Sequence, residues 1–309
     1  SAALPHLEAM PLAVPHEMTS DRKERNLLWA TRNNLYAAVA GARPSGTNAL
    51  LEDVIVPVQD LGRACDDLTH LFQNHDYPGS VIFGHAKDGN VHFLLNEQFR
   101  DVKKLQRYQR FTEDMVDVIL GYNGSLKAEH GTGRIMAPFI ERQFGSELYQ
   151  IMRRIKDAAD PKRMLNPGVI ITDDPHEYVE HLKVADRIEK AADRCVECGY
   201  CEPVCPSRNL TLTPRQRIVV RREIAAAKNR GDTKLATELQ ERWQYEGQDT
   251  CAVDGMCLTR CPVGINTGDL IRQLRAESAG SVAQKGWKAA AHGWNLGAKA
   301  GSLAMTAAH

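Results

Sequence analysis

An α+β first half followed by an all-helical second half is the fold that this sequence predicts. Three observations predict it. Short Val-rich runs alternate with longer helical stretches up to about residue 172, and no convincing strand pattern occurs beyond that point. Seven of the eight cysteines lie in the second half, in two groups that each end in Cys-Pro.

In order, Asp53 to Val58, Ser80 to Phe83 and Val91 to Leu95 read as strands. Leu61 to His75, Val102 to Leu120 and Glu141 to Asp157 read as helices, which suggests a sheet with helices packed on one face. Cys65 falls in the first of these helices and reads as a packed small hydrophobe. The character changes at Ile171-Thr-Asp-Asp-Pro-His, where Asp174 is expected to cap a helix with Pro175 at its first position and Glu177 at its third. Thr213-Pro214-Arg215-Gln216 is a capping box opening a helix that Gly231 ends, and Asp232 begins another that ends near Gly247. Arg221, Arg222, Glu223 and Lys228 are expected on a solvated face of that module. The expected domains are residues 1–172, residues 173–278, and an Ala/Gly-rich tail at 279–309 that is a docking helix or a linker.

A chain of 309 residues accommodates two domains with real cores. Lys and Arg number 39, as do Asp and Glu, so no basic field recruits nucleic acid and no such partner is expected. No apolar run is long enough to span a bilayer. The opening Ser-Ala-Ala-Leu-Pro lacks both an initiating Met and a basic leader, and truncation at both ends is expected. Cysteine usage suits a reducing compartment, so a cytoplasmic protein is expected, either free or peripheral at the inner face of the membrane.

The cysteine groups are Cys195-x2-Cys198-x2-Cys201-x3-Cys205-Pro206 and Cys251-x5-Cys257-x3-Cys261-Pro262. Thiolates two residues apart point three sulfurs at one iron-sulfur cluster, and in two-cluster ferredoxins the cysteine before proline ligates the other cluster. The expected pattern is crossed: Cys195, Cys198, Cys201 and Cys261 on one [4Fe-4S] cluster, and Cys251, Cys257 and Cys205 on a second. Asp254 stands where the fourth thiolate is missing. The second cluster is then either an aspartate-ligated [4Fe-4S] or a [3Fe-4S] cluster. Structural zinc competes with this reading, because Cys-x2-Cys pairs also bind it. Disulfides fit less well, since the first half contributes only Cys65.

In the first half, His85 and His92 flank a turn on Asp88-Gly89-Asn90, and Glu129 lies in Leu126-Lys-Ala-Glu-His-Gly-Thr-Gly-Arg134. Two histidines and a glutamate form an open site for a divalent ion such as zinc. The same spacing is equally that of ordinary surface or core histidines beside a Gly-rich turn.

Three motifs in this order, His85-x3-Gly89-Asn90-x-His92, Glu129-His130-Gly131-x-Gly133-Arg134 and Asp160-Pro161-x3-Leu165-Asn166-Pro167-Gly168, resemble the C-terminal domain of FAD-linked oxidases. That family contains D-lactate dehydrogenases, glycolate oxidase and D-2-hydroxyglutarate dehydrogenases. The resemblance covers roughly residues 22 to 172 and continues to about residue 275 through a helical ferredoxin. It implies an antiparallel sheet in the first domain and an all-α second domain.

It also implies FAD, bound mainly by a domain that precedes these residues and with Asn166 on the cofactor side. His85, His92 and Glu129 resemble the metal ligands, His130 the base that takes the substrate hydroxyl proton, and Arg32 the arginine that holds the substrate carboxylate. Arg32 also reads as an ordinary surface arginine. The implied reaction oxidises a D-2-hydroxy acid and passes electrons through FAD and the clusters to a quinone or soluble acceptor. Leu51 and Leu94 stand where some members have lysine and asparagine, so the acid itself is left open. A non-catalytic electron-transfer subunit and a zinc-binding interaction protein are the competing readings.

Overall fold

A computed structural model describes residues 4–10 and 18–307. The first three residues, and the last two of the expected tail, lie outside the described residues. The elements in chain order are α1 (Leu4–Glu8), α2 (Arg22–Gly41), β1 (Asn48–Ile55), α3 (Leu61–Asn74), β2 (Val81–His85), β3 (Asn90–Glu97) and α4 (Val102–Gly121). They continue with α5 (Ile140–Phe144), α6 (Ser146–Ala159), α7 (Pro214–Arg230), α8 (Thr233–Trp243), α9 (Thr267–Ser278) and α10 (Ser281–Ala307).

The three strands form an antiparallel sheet in the order β1-β3-β2, as expected from the family resemblance. Side chains alternate across a strand, so each cross-strand row shares one face. The rows Val54–Val91, Glu52–Phe93–Ile82 and Leu50–Leu95 face the main core. There they meet Ala64, Leu68 and Phe72 of α3 and Tyr108, Phe111, Met115 and Ile119 of α4. Those helical residues recur at three- and four-residue intervals, the stripe that a helix packed on a sheet must carry. Cys65 of α3 packs against this core as expected. The row Asp53–His92–Phe83 faces the other way.

Several boundaries differ from the sequence reading for local reasons. β1 begins at Asn48, five residues before the expected start, because pairing with β3 runs out to Glu97. The helix expected over Glu141 to Asp157 is broken into α5 and α6 by Gly145, at φ 81° and ψ 158°. The helix expected after Asp174 is a single 3-10 turn, Glu177–Val179. Asp174 does accept the His176 amide at 2.7 Å, but Glu177 is drawn away to Arg134 Nε (2.6 Å) and Thr172. With Tyr178 buried against Phe139, the chain is anchored at this turn.

The second half is helical with long irregular connections. Its capping box is present as written: Thr213 Oγ1 accepts the Gln216 amide, Gln216 Oε1 accepts the Thr213 amide at 2.8 Å, and left-handed Gly231 ends α7. The helix begun at Asp232 passes after Trp243 into a π-helical turn, Gln244–Asp249, so the helical run ends close to the expected Gly247. Close packing explains the widened turn, since a methyl group on Gly247 would lie 2.6 Å from the buried Trp243 ring.

The expected solvated face of α7 is also corrected. Arg222 is only 7 % exposed and donates to the carbonyls of Asp193 (2.8 Å) and Cys195 (2.9 Å), while Arg221 pairs with Glu189. Glu223 and Lys228 are exposed. α10 is an exposed helix along the described tail, and no helix among the described residues is long and apolar enough to cross a membrane.

Candidate metal centre and cysteine loops

Two adjacent acids on β1 point to opposite faces, and both are buried. A buried carboxylate must find compensation. Glu52 finds Lys127 Nζ at 2.7 Å. Asp53 finds backbone: its Oδ2 accepts the consecutive amides of Ala128 (3.1 Å), Glu129 (2.7 Å) and His130 (2.8 Å), and its Oδ1 accepts Asn90 Nδ2 at 2.7 Å. Burial opposes ionisation of Asp53, but these donors outweigh it and hold the carboxyl below its ordinary range. Reciprocal hydrogen bonds between Ile55 and Ser125 pin the same loop to the strand. Asp53 therefore fixes the backbone that presents Glu129 and His130.

The hairpin from β2 to β3 presents the other two imidazoles. Gly89 makes the turn at φ 71°, where a methyl group would meet Val56 O at 2.0 Å. Gly89→Ala is expected to destabilise the protein by more than about 1 kcal/mol. It should also lower bound metal, read by thermal melting and elemental analysis, because His85 and His92 hang on the same turn.

Glu129 Oε1 lies 2.9 Å from His92 Nε2, 3.2 Å from His85 Nε2 and 3.8 Å from His130 Nε2. The His92 and His130 rings stack at 4.8 Å, and His85 stands edge-on to His92. The separations of His92 and His85 from Glu129 Oε1 are close to those of ligands about 2.0–2.1 Å from one zinc ion. Burial lowers the pKa of His92; His130 and His85 add to this, while Asp53 and Glu129 oppose it without reversing it. A neutral imidazole keeps its lone pair for a metal. His92 Nδ1, buried, lies 3.2 Å from Asp53 Oδ1 without hydrogen-bond alignment. A carboxylate beside the second nitrogen of a metal-binding histidine is the usual outer support of such a ligand. The residues present fit a divalent ion.

Among the described residues Asp53, His92, Glu129 and His130 form a group of possible ligands within 4.8 Å of one another. His85 joins it through Glu129. The sequence reading has Asp53 only as the start of a strand and not as a site residue; its one signal was an acid beside an apolar strand run.

Arg32 lies on the face of α2 that carries Arg25, Leu28 and Trp29, and these residues line an open cleft of about 550 Å³ with Gly84 and His85. Asn166 is exposed, on a loop tied to the Glu129–Arg134 segment by the Ile170 amide on Gly133 O (3.0 Å). Asp160 organises that loop by accepting Lys156 Nζ and the amides of Met164 and Leu165. The Lys156 contact first, and then the Leu165 and Met164 amides, hold its carboxyl below the ordinary range against the effect of burial. A depressed carboxylate stabilises above its unfolded pKa, about 4, and loses that contribution as pH falls through the folded value. Protection of the 160–171 amides is thus expected to fall only under acid conditions, and at higher pH in Lys156→Gln, as hydrogen exchange would show.

The two cysteine loops share a backbone path. In Cys195-Val196-Glu197-Cys198-Gly199 the third and fifth residues are left-handed, at φ 60° and 85°. In Cys251-Ala252-Val253-Asp254-Gly255 the corresponding values are 56° and 75°. Left-handed backbone at a β-branched residue such as Val253 is strained, which marks a shape the loop must keep. Asp254 thus occupies the backbone position that Cys198 has in the first loop. It is exposed, and its Oδ1 accepts the Met256 amide at 3.2 Å.

Cys261 packs with Cys195 against Ala192, Ile218 and Val263. Cys205 Sγ lies 3.1 Å from Ser207 Oγ and 3.7 Å from Arg217 Nη1, and Arg217 reaches Gly247 O and Thr250, next to Cys251. Burial, then the Cys195 charge, pushes the Cys201 thiol up to about 12, with Cys261 adding to it. A thiol raised in this way is compensated when it ligates a polynuclear iron core.

Comparison with known proteins agrees with both halves. Residues 6–170 match the family described as FAD linked oxidases, C-terminal domain, and residues 191–265 match the 4Fe-4S dicluster domain. The chain is 26 % identical over 167 residues to glycolate oxidase subunit GlcD of Bacillus subtilis, covering 54 % of this chain and 35 % of that protein. It is 23 % identical over 306 residues to D-2-hydroxyglutarate dehydrogenase of Haemophilus influenzae, covering 82 % of this chain and 30 % of the relative. It is 30 % identical over 149 residues to the mitochondrial D-lactate dehydrogenase [cytochrome] of Arabidopsis thaliana, covering 48 % and 26 %. The chain thus spans about a third of the length of the curated relatives it matches. With its histidine and glutamate centre on the outer face of a small antiparallel sheet and its cysteine loops beyond, the chain belongs to the FAD-linked oxidases and carries a 4Fe-4S dicluster domain.

Proposed function

We propose that these residues are the substrate-binding and electron-relay part of a flavin- and iron-sulfur-dependent dehydrogenase that oxidises a D-2-hydroxy acid of the D-lactate or D-2-hydroxyglutarate type to its 2-oxo acid. The observation that carries this reading is the convergence of three imidazoles on Glu129 Oε1, beside a cleft that also holds Arg32. His85, His92 and Glu129 would hold a divalent ion, zinc by donor set. When bound, the ion would supply a Lewis acid that eases loss of the hydroxyl proton, and a flavin would supply the two-electron acceptor.

The protein's own groups do the rest. His130, stacked on His92 and backed by Asp53, is placed to take the hydroxyl proton. Arg32 offers a planar fork for the substrate carboxylate. Leu28 and Trp29, 62 % and 65 % exposed, give the cleft an apolar wall suited to a flat ring system. Asn166 is assigned to the flavin side.

Cys195, Cys198, Cys201 and Cys261 would hold the first four-iron cluster. Cys251, Cys257 and Cys205, with Asp254 at the fourth corner, would hold the second as a four-iron or three-iron cluster. A domain junction near residue 172 separates the two functions, and electrons leave to a quinone or soluble acceptor. The test is turnover of the full-length protein with a dye acceptor and enantiomeric pairs of 2-hydroxy acids. The D form of one acid is expected to be used, and indifference to every acid would overturn the reading.

A further inference from the structure

One helix joins the two halves. At its N-terminal end α2 lines the cleft with Trp29 and Arg32, and at its C-terminal end Gly41 packs so closely that a methyl group there would lie 2.4 Å from Val263 Cγ1. Arg43, just past that end, crosses to the first cysteine loop. It donates to the carbonyls of Asp193 (3.2 Å), Arg194 (3.2 Å) and Cys195 (3.0 Å), and it is braced on its own side by Ala40 O and Thr47 O.

Arg222 of α7 takes the carbonyls of Asp193 and Cys195 as well. Two guanidinium groups therefore share one cysteine carbonyl. Two acids lie nearby, Glu197, paired with both Arg222 and Lys183, and Asp193, whose charge acts on Arg43; against Arg43, Arg222 and Lys183 they leave the balance beside Cys195 positive. In the second loop the equivalent carbonyl, that of Cys251, accepts a bond from a single arginine, Arg275 of α9, at 3.0 Å.

We propose that Arg43 and Arg222 set the reduction potential of the cluster in the first cysteine loop, and that Arg43 makes this potential depend on the substrate-binding half. The proposal rests on the reading of that loop as a cluster site. The step is a one-electron reduction with the electron supplied by reduced flavin, and it adds one negative charge to the cluster. Fixed positive charge and hydrogen bonds near the ligands stabilise the reduced form and raise its potential. The first cluster is thereby poised to take an electron from the cleft side, while the second has cations of its own, Arg275 on the Cys251 carbonyl and Arg217 beside Cys205 Sγ.

The test is an anaerobic redox titration of the full-length flavin-containing protein, followed by electron paramagnetic resonance, on wild type, Arg43→Gln and Arg43→Lys. Cys257→Ala identifies the second cluster's signal. Arg43→Gln is expected to lower the first cluster's midpoint potential and leave the second's in place, and Arg43→Lys to retain most of the wild-type value. An unchanged first potential in Arg43→Gln, or equal shifts in both clusters, would overturn the proposal. Should Arg43→Gln not load its cluster, Lys183→Glu changes the same field from a side chain 63 % exposed, and an unshifted potential there counts equally against it. Absence of iron and sulfide from the wild type would instead remove the cluster reading on which it rests.

Discussion

His130→Ala is expected to lower kcat/KM by about 10²–10⁴-fold while bound metal stays at the wild-type level. The two readouts separate because the backbone of the loop is held independently of the side chain. Asp53 grips the His130 amide, not its ring, so the loop keeps its place and Glu129 stays beside His85 and His92. Loss of the ring removes a proton acceptor and one face of the stack on His92. Elemental analysis and steady-state kinetics on the same preparation check both halves. Equal loss of metal and activity would show His130 to be a ligand instead of the base.

Asp53→Ala is expected to be the most damaging single change in the first half. It leaves the amides of Ala128, Glu129 and His130 without their acceptor and takes one of two acceptors from the Asn90 side chain, which keeps Val54 O. Each donor left unsatisfied costs about 1 kcal/mol or more where it is part-buried, so a loss of about 3 kcal/mol is expected. That corresponds to a fall in Tm on the order of 10 °C for a unit of this size. Metal affinity should fall at least about 10–100-fold, the usual cost of losing an outer support. Asp53→Asn, which keeps the shape and one acceptor, should cost less. A melting curve within 2 °C of wild type, a margin of about 1 kcal/mol, would show that the loop is held by something else.

What could be read from the sequence follows from how local each cause is. The capping box at Thr213 to Gln216 and the stop at Gly231 depend on residues a few positions apart, and both were legible. So was the cysteine spacing, since one turn of backbone sets where the sulfurs point; the loops' shared left-handed positions then gave Asp254 its place. Asp53 was missed because its partners are amides that only the fold brings near. Arg222 was misread as solvated for the same reason: its acceptors, Asp193 O and Cys195 O, lie in a distant loop. The helix expected at Asp174 failed when Arg134 claimed Glu177. In each case a charged side chain was taken by a long-range partner that local rules do not see.

The most direct test of the central claim is anaerobic absorbance of the full-length protein, flavin domain included, titrated with D- and L-2-hydroxy acids of increasing size alongside a His130→Ala control. Bleaching of both the flavin and the iron-sulfur bands by the D form of one acid, lost in the control, is the expected result. Reduction of the clusters by dithionite but by no acid would contradict the account and leave a non-catalytic electron-transfer module.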